Sequence, residues 1–314
     1  MNGLIRLDIS SRIGTGHFHR MMNLAHAMPD IDFAFLIKTD NPENKLFRGH
    51  KVFFMGDNDF SDLAYHSRNT DFIIYDLLHY SKDYIKQVKE ITGKLTITFH
   101  EYNDYSAVSD LAINYNFFNG FEKKESPSFL AGPRYIIFND TLLNTRSSVG
   151  KGVFVSFGGA DPSGFTIKFI NEIANHLTKI PFNIHIGPFF RQSDQLENLH
   201  MADNVILHDQ PRNLYDLMSQ ARLAVTAGGN MLYEIMFLQK WSFTLAHNVH
   251  QKEFALNAAN YGACKYMGDK DTIDWGFFKS VLEYAYMMPA KTPTYEIDGK
   301  GKQRIVNKIN ELLS

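Results

Sequence analysis

The chain has 314 residues, 44% of them apolar and 21% charged, and its 32 basic side chains against 34 acidic ones leave a formal charge of -2. This ordinary globular composition gives no electrostatic case for nucleic acid or an anionic membrane as the main partner, and the length is comfortable for two domains. The single cysteine, Cys264, excludes an intramolecular disulfide and a thiolate metal cluster.

The opening MNGLIRLDIS has no basic region followed by a long apolar one, and no apolar run approaches the roughly 20 residues of a membrane span. The expectation is a cytoplasmic protein with no span. In the first half, the apolar runs GLIRLDI, DFAFLI, KVFFMG, DFIIYDLL, KLTITF, LAINYN and RYIIF read as strands, with helical patterns such as HFHRMMNLAHAM and KDYIKQVKEIT between them. The polar segment EKKESPS (122–128) reads as a surface loop, and LNTRSSVGKG (143–152) as the linker.

The pattern then restarts with GVFVSF, GFTIKFINEIANHL, FNIHIG, NVILHD, RLAVTA, GGNMLYEIMFL, SFTLAH and QKEFALNAANYG, and ends in the helix GKGKQRIVNKINELL. Strand–helix alternation of this kind predicts an α/β fold, two parallel sheets covered by helices, with domains over 1–145 and 146–314. The last helix is free to return to the first domain. Two such domains facing each other make a cleft, and ligands of such sheets sit beyond the carboxyl ends of the strands.

Three loops that follow strands are rich in glycine. In IGTGHFHR, Gly14 and Gly16 allow a tight turn and a close backbone approach at a helix N-terminus. A dinucleotide fingerprint would need a third glycine where His19 stands, so that reading is set aside. His17 opens the helix. A helix N-terminus favours the neutral imidazole, and such a ring is a candidate general base; the alternative is a histidine that only ties the turn. Arg20 lies one turn on, where it either meets substrate negative charge or is a surface arginine.

In SFGGADPSG, Gly158 and Gly159 permit backbone approach, while Asp161 or Ser163 is placed to cap the next helix; the alternative is a plain strand-to-helix turn. In TAGGNMLYE, Gly228 and Gly229, with Asn230 and Met231 beyond them, open a helix whose N–H groups suit a diphosphate. Glu234 follows about one and a half turns on, where its carboxylate either accepts ribose hydroxyls or is simply solvated. Gln251, after another strand, is placed to hydrogen-bond a sugar. The short acidic run Asp57–Asp59 reads as a metal motif or, more simply, as a helix cap, and His247 and His250 have zinc-compatible spacing with no evident third ligand.

Taken together, LDISSRIGTGHFHRMMNLA, VSFGGADPSG, AVTAGGNMLYE, HQKEFALNAANYGA and DGKGKQRI resemble the UDP-sugar hydrolases of pseudaminic-acid biosynthesis and their spore-coat polysaccharide relatives. More loosely, they resemble the lipid-linked GlcNAc transferase of peptidoglycan synthesis. The resemblance implies a GT-B architecture of two Rossmann-like domains, with the nucleotide held mainly by the C-terminal one and no metal or other cofactor. It implies that His17 matches the family's base, and that Gly228, Gly229 and Glu234 match its uridine diphosphate loop. The reaction it implies is attack of water on UDP-2,4-diacetamido-2,4,6-trideoxy-β-L-altropyranose, giving UDP and the free sugar of inverted configuration.

The chain departs from the family pattern in its N-terminal half. The family's Asp-His-Tyr triplet is here Asp76 followed by Leu77 and Leu78, with His79 and Tyr80 displaced, and its paired aspartate is represented by Asp104 or Glu101. Asp76 is carried forward as a substrate-side residue. An inverting glycosyltransferase on the same scaffold and a nucleotide-sugar-binding protein without turnover are the rival readings. The sequence leaves the oligomeric state open between a monomer and an assembly.

Overall fold

A computed structural model describes the whole chain except residues 11–15, 44–46, 79, 101–104, 119, 121–125, 149 and 210. Gly14, His79, Glu101, Asp104 and most of the polar loop at 122–128 therefore lie outside the described residues. The chain divides into two compact units: residues 1–116, 120–139 and 299–314 form the first, and residues 117–119 and 140–298 form the second. The division thus falls after Asn139, and the terminal helix groups with the first unit.

The first unit is a seven-stranded parallel sheet in the order β3-β2-β1-β4-β5-β6-β7. Its strands are β1 (Asn2–Ile9), β2 (Asp32–Thr39), β3 (Val52–Phe54), β4 (Phe72–Asp76), β5 (Leu95–Phe99), β6 (Leu111–Asn114) and β7 (Phe129–Ala131). The early connections carry α1 (Gly16–His26), α2 (Asp59–His66) and α3 (Lys82–Thr92). Helices on both faces leave the central strands without a wet side, so β4 is buried at all five positions and reads as an unbroken apolar run. The boundaries of α3 follow from local chemistry. Ser81 accepts from the Tyr84 N–H at its start, and Gly93 at φ +62° ends it in the left-handed conformation.

The second unit is a six-stranded parallel sheet in the order β10-β9-β8-β11-β12-β13. These strands are β8 (Val153–Ser156), β9 (Phe182–Ile186), β10 (Val205–Asp209), β11 (Leu223–Ala227), β12 (Ser242–Ala246) and β13 (Lys265–Asp269). Its helices are α4 (Asp140–Leu143), α5 (Phe165–Phe169), α6 (Ser193–Glu197), α7 (Leu214–Gln220), α8 (Asn230–Phe237), α9 (Val249–Asn260) and α10 (Trp275–Met287); α5 runs on into a π-helical turn at Ile170–Ala174. The chain closes with α11 (Gly301–Leu313).

Three strand assignments differ from the sequence expectation. RYIIF is not a strand: Gly132 at φ +94° and Pro133 turn the chain into a 3-10 turn at Pro133–Tyr135, and Ile136–Phe138 are buried outside any strand. The seventh strand is instead the three-residue FLA. The second sheet also gains β13, whose sequence KYMGD has little apolar pattern because the strand lies at the sheet edge. The terminal helix packs on the 3-10 segment. A Cβ on Gly301 would lie 2.2 Å from the Ile136 carbonyl oxygen, so only glycine permits this approach.

In each sheet the strand order reverses direction at one place, between β1 and β4 in the first and between β8 and β11 in the second. Open α/β sheets bind ligands at such points, beyond the strand carboxyl ends, because the outgoing loops diverge there and leave room. The start of α1 and the residue Asp76 stand at the first of these points. The loops after β8 and β11 stand at the second.

Candidate active site

β1 and β4 pair in register with Leu7 opposite Asp76, so the last residue of β4 lies beside the strand that feeds α1. Asp76 is 1% exposed, Arg20 5% and His17 7%. An isolated carboxylate in that setting would be costly, and it is fully engaged. His17 Nδ1 lies 2.8 Å from Asp76 Oδ1. Arg20 donates from Nε to Oδ2 at 2.9 Å and from Nη2 to Oδ1 at 2.5 Å, a two-pronged pairing. Arg20 Nη1 also donates to the Tyr115 hydroxyl, and its guanidinium stacks 4.8 Å from the Tyr115 ring centroid and 5.9 Å from that of Phe99. Burial pushes the Asp76 carboxyl up, but the pull of Arg20 and His17 together is larger and holds it at about 2.

Chemically, an ionised Asp76 accepts the Nδ1–H of His17, which puts the basic lone pair of the neutral ring on Nε2. Asp76 and Arg20, which the sequence reading carried as substrate-side residues, are buried and paired with each other, because a charge at the end of a covered strand must find its partner inside the unit. Gly16 is the first residue of α1 and exposed, immediately before His17.

On the opposite face of the same sheet, the acidic run Asp57–Asp59 does structural work. Asn58 caps α2 through Ser61, and Asp59 pairs with Lys38 at 2.8 Å and with buried Arg6 at 3.5 Å. Among the described residues, no three histidine, cysteine, aspartate or glutamate side chains gather as a metal-binding group.

In the second unit the loops after β8, β11 and β12 each end at a helix start. Asp161 is buried and holds φ +42°, and its two carboxylate oxygens accept from the N–H groups of Phe165 at 2.9 Å and Thr166 at 2.7 Å. It caps α5, as one sequence reading had it. Gly158 lies at φ +86° with open space where a Cβ would stand, whereas Gly159 faces Phe189 at 3.5 Å. Gly228 is required by packing: a Cβ there would come within 2.7 Å of the Gln251 carbonyl oxygen at the start of α9. Gly229, by contrast, has nothing within 4 Å and stands as the N-cap of α8, with exposed Asn230 and half-buried Met231 as the first helical residues.

Glu234, further along α8, is half-buried, and the Tyr215 hydroxyl on α7 donates to its Oε1 at 3.4 Å. Desolvation pushes this carboxyl up to about 7, against the opposing hydrogen bond. Gln251 turns its side-chain oxygen to the His247 N–H at 2.9 Å. His247 donates from Nε2 to the Phe157 carbonyl at 2.9 Å and stacks on Phe165 at 4.8 Å, so it ties the β12 loop to the β8 loop. Burial lowers its pKa, opposed by the Phe157 carbonyl and Asp161.

Sequence reasoning missed Tyr115, Tyr215 and this tie by His247. Only the last had a signal, a histidine directly after a strand.

No family model matches the chain. It is 25% identical over 271 residues to an uncharacterized protein of Methanocaldococcus jannaschii, an alignment that covers 78% of this chain and 56% of that protein; the chain thus spans little more than half the length of that relative. It is 21% identical over 322 positions to the spore coat polysaccharide biosynthesis protein SpsG of Bacillus subtilis, with 95% of each covered.

Among solved structures, Acinetobacter baumannii MurG superposes with a TM-score of 0.69 at 12% identity, covering 99% of this chain and 100% of that one. The UDP-GlcNAc 2-epimerase of Methanocaldococcus jannaschii gives 0.62 at 12% over 99% and 100%, and the calicheamicin glycosyltransferase CalG4 gives 0.61 at 11% over 99% and 94%. No described helix is long and apolar enough to cross a membrane. These likenesses show the fold: an α/β chain of two Rossmann-like parallel-sheet units, of the GT-B kind shared with MurG.

Proposed function

We propose that the protein is a nucleotide-sugar hydrolase that works without a metal. It cleaves a UDP-linked diacetamido-trideoxy sugar, UDP-2,4-diacetamido-2,4,6-trideoxy-β-L-altropyranose, to UDP and the free sugar with inversion, in the biosynthesis of a nonulosonic acid. The observation that carries this reading is the imidazole of His17, held by a buried carboxylate at the switch point of the first sheet.

In the reaction, water attacks the anomeric carbon while His17 Nε2 takes its proton. The bond between that carbon and the diphosphate oxygen breaks, and UDP leaves with the electron pair. The C-terminal unit binds the nucleotide. Backbone N–H groups at Gly229, Asn230 and Met231 face the diphosphate at the positive end of α8, and Glu234 accepts the ribose hydroxyls. Gly158 lets the β8 loop come close to the phosphates. The negative charge that builds on the leaving group is thereby stabilised by fixed amide dipoles.

SpsG and the matched glycosyltransferases support a second reading, an inverting transferase in which the same base deprotonates an acceptor hydroxyl. Incubation with UDP- and CDP-linked amino sugars, with and without added acceptors, separates the two. Release of UDP and an inverted free sugar in water alone is the expected result. Release that depends on an acceptor refutes the hydrolase, and no release under any condition refutes the enzyme.

A further inference from the structure

The triangle formed by His17, Arg20 and Asp76 has a feature that a simple histidine–carboxylate pair lacks. Asp76 Oδ1 is 2.8 Å from His17 Nδ1, and Arg20 Nη2 is 3.1 Å from that same nitrogen. A buried histidine facing a bare carboxylate is drawn into an imidazolium–carboxylate ion pair, and an imidazole that is already protonated is no base. Here a positive and a negative charge stand at nearly equal distances from the ring. The attraction and the repulsion that these two groups exert on an added proton therefore oppose each other.

We propose that Arg20 is a positioning residue that acts on His17 through Asp76: it fixes the Nδ1–H tautomer and opposes protonation of the ring. Its fork holds both carboxylate oxygens, so Asp76 presents one lone pair to the ring in a fixed direction. The Tyr115 and Phe99 rings hold the guanidinium flat. Arg20 on α1 and Asp76 from β4 contact the ring, and Tyr115 after β6 contacts Arg20. The spacing of His17 and Arg20, three residues apart on α1, puts base and cation on one helix face.

The inference rests on His17 being the base, but its decisive test needs no substrate. Histidine-labelled full-length protein is titrated by NMR, with the His17 signal assigned from His17→Gln. The wild-type ring is expected as the Nδ1–H tautomer. Arg20→Gln removes the repulsion, and its His17 pKa is expected to rise by about 1–3 units; Asp76→Asn removes the attraction and should lower it by a similar amount. Arg20→Lys keeps the cation and should stay nearer the wild type than Arg20→Gln.

Opposite shifts in the two neutral variants are not produced by loosened packing. Unchanged titration in both, or shifts of the same sign, overturns the proposal. If Arg20→Gln fails to fold, Asp76→Asn and Arg20→Lys decide alone, and a His17 pKa that does not fall in Asp76→Asn overturns it. In the kinetic arm, the acid limb of kcat/KM with the UDP-sugar should move upward in Arg20→Gln in step with the NMR value. Failure of that arm with the NMR shifts present refutes the role of His17 in turnover and leaves the charge balance standing.

Discussion

Asp76→Asn keeps the shape of the side chain and removes its charge, which isolates the electrostatics of the buried cluster. In the wild type the carboxyl sits at about 2 against an ordinary 3.8, because Arg20 and His17 overcome the opposing effect of burial. The folded chain therefore binds this proton less readily than the unfolded chain. The resulting stabilisation, about 2 kcal/mol, is complete above about pH 4 and is lost as the pH falls toward 2. The asparagine variant lacks that pH-dependent part, and it leaves Arg20 buried opposite a neutral amide at a cost of about 3–5 kcal/mol at pH 7.

The gap in stability between wild type and variant should thus shrink by about 2 kcal/mol as the pH is lowered from 5 to 2.5. Trp241 and Trp275 both lie in the second unit, so tryptophan fluorescence is the wrong probe. Urea unfolding followed on methyl NMR signals of buried Ile73, Ile74 and Ile97 reads the first unit directly. A gap of constant size across that pH range would show that Asp76 is not an ionised partner of Arg20, and the description of the cluster would fall.

His17→Ala should lower turnover by about two to four powers of ten while UDP affinity, measured by calorimetry, barely changes; an equal loss of UDP binding would make His17 a ligand clamp instead. Glu234→Ala should do the reverse and weaken UDP binding with a smaller effect at saturation. Because the Glu234 carboxyl sits at about 7 and only its ionised form accepts from both ribose hydroxyls, UDP affinity should rise as the pH goes from 6 to 8, and Glu234→Gln should flatten that rise. Gly228→Ala puts a methyl group 2.7 Å from the Gln251 carbonyl and should cost about 1–3 kcal/mol in thermal unfolding, whereas Gly229→Ala, with open space around it, should leave stability within about 0.5 kcal/mol and act on UDP binding alone.

The sequence carried the architecture because parallel strands covered on both faces must be apolar at successive positions. Runs such as FIIYD and LAVTA fit strands covered on both faces, and all their residues are buried. It failed where that constraint relaxes. The edge strand KYMGD is only partly covered, and FLA is too short to show a period, while in RYIIF the preceding glycine and proline override an apolar run that otherwise looks like a strand.

In the candidate site, the sequence singled out His17, Gly228, Gly229 and Glu234, because glycine loops and helix starts are local events written in consecutive residues. It did not show that Asp76 and Arg20 pair with each other or that Asp161 holds the N–H groups at the start of α5. The tertiary structure decided those three: it set β4 beside β1, so that a carboxylate 56 residues beyond Arg20 in the chain became its partner, and it turned Asp161 back onto the helix it caps. A sequence states which side chains bear charge, but only the packing determines which of them lose water and must therefore pair with each other.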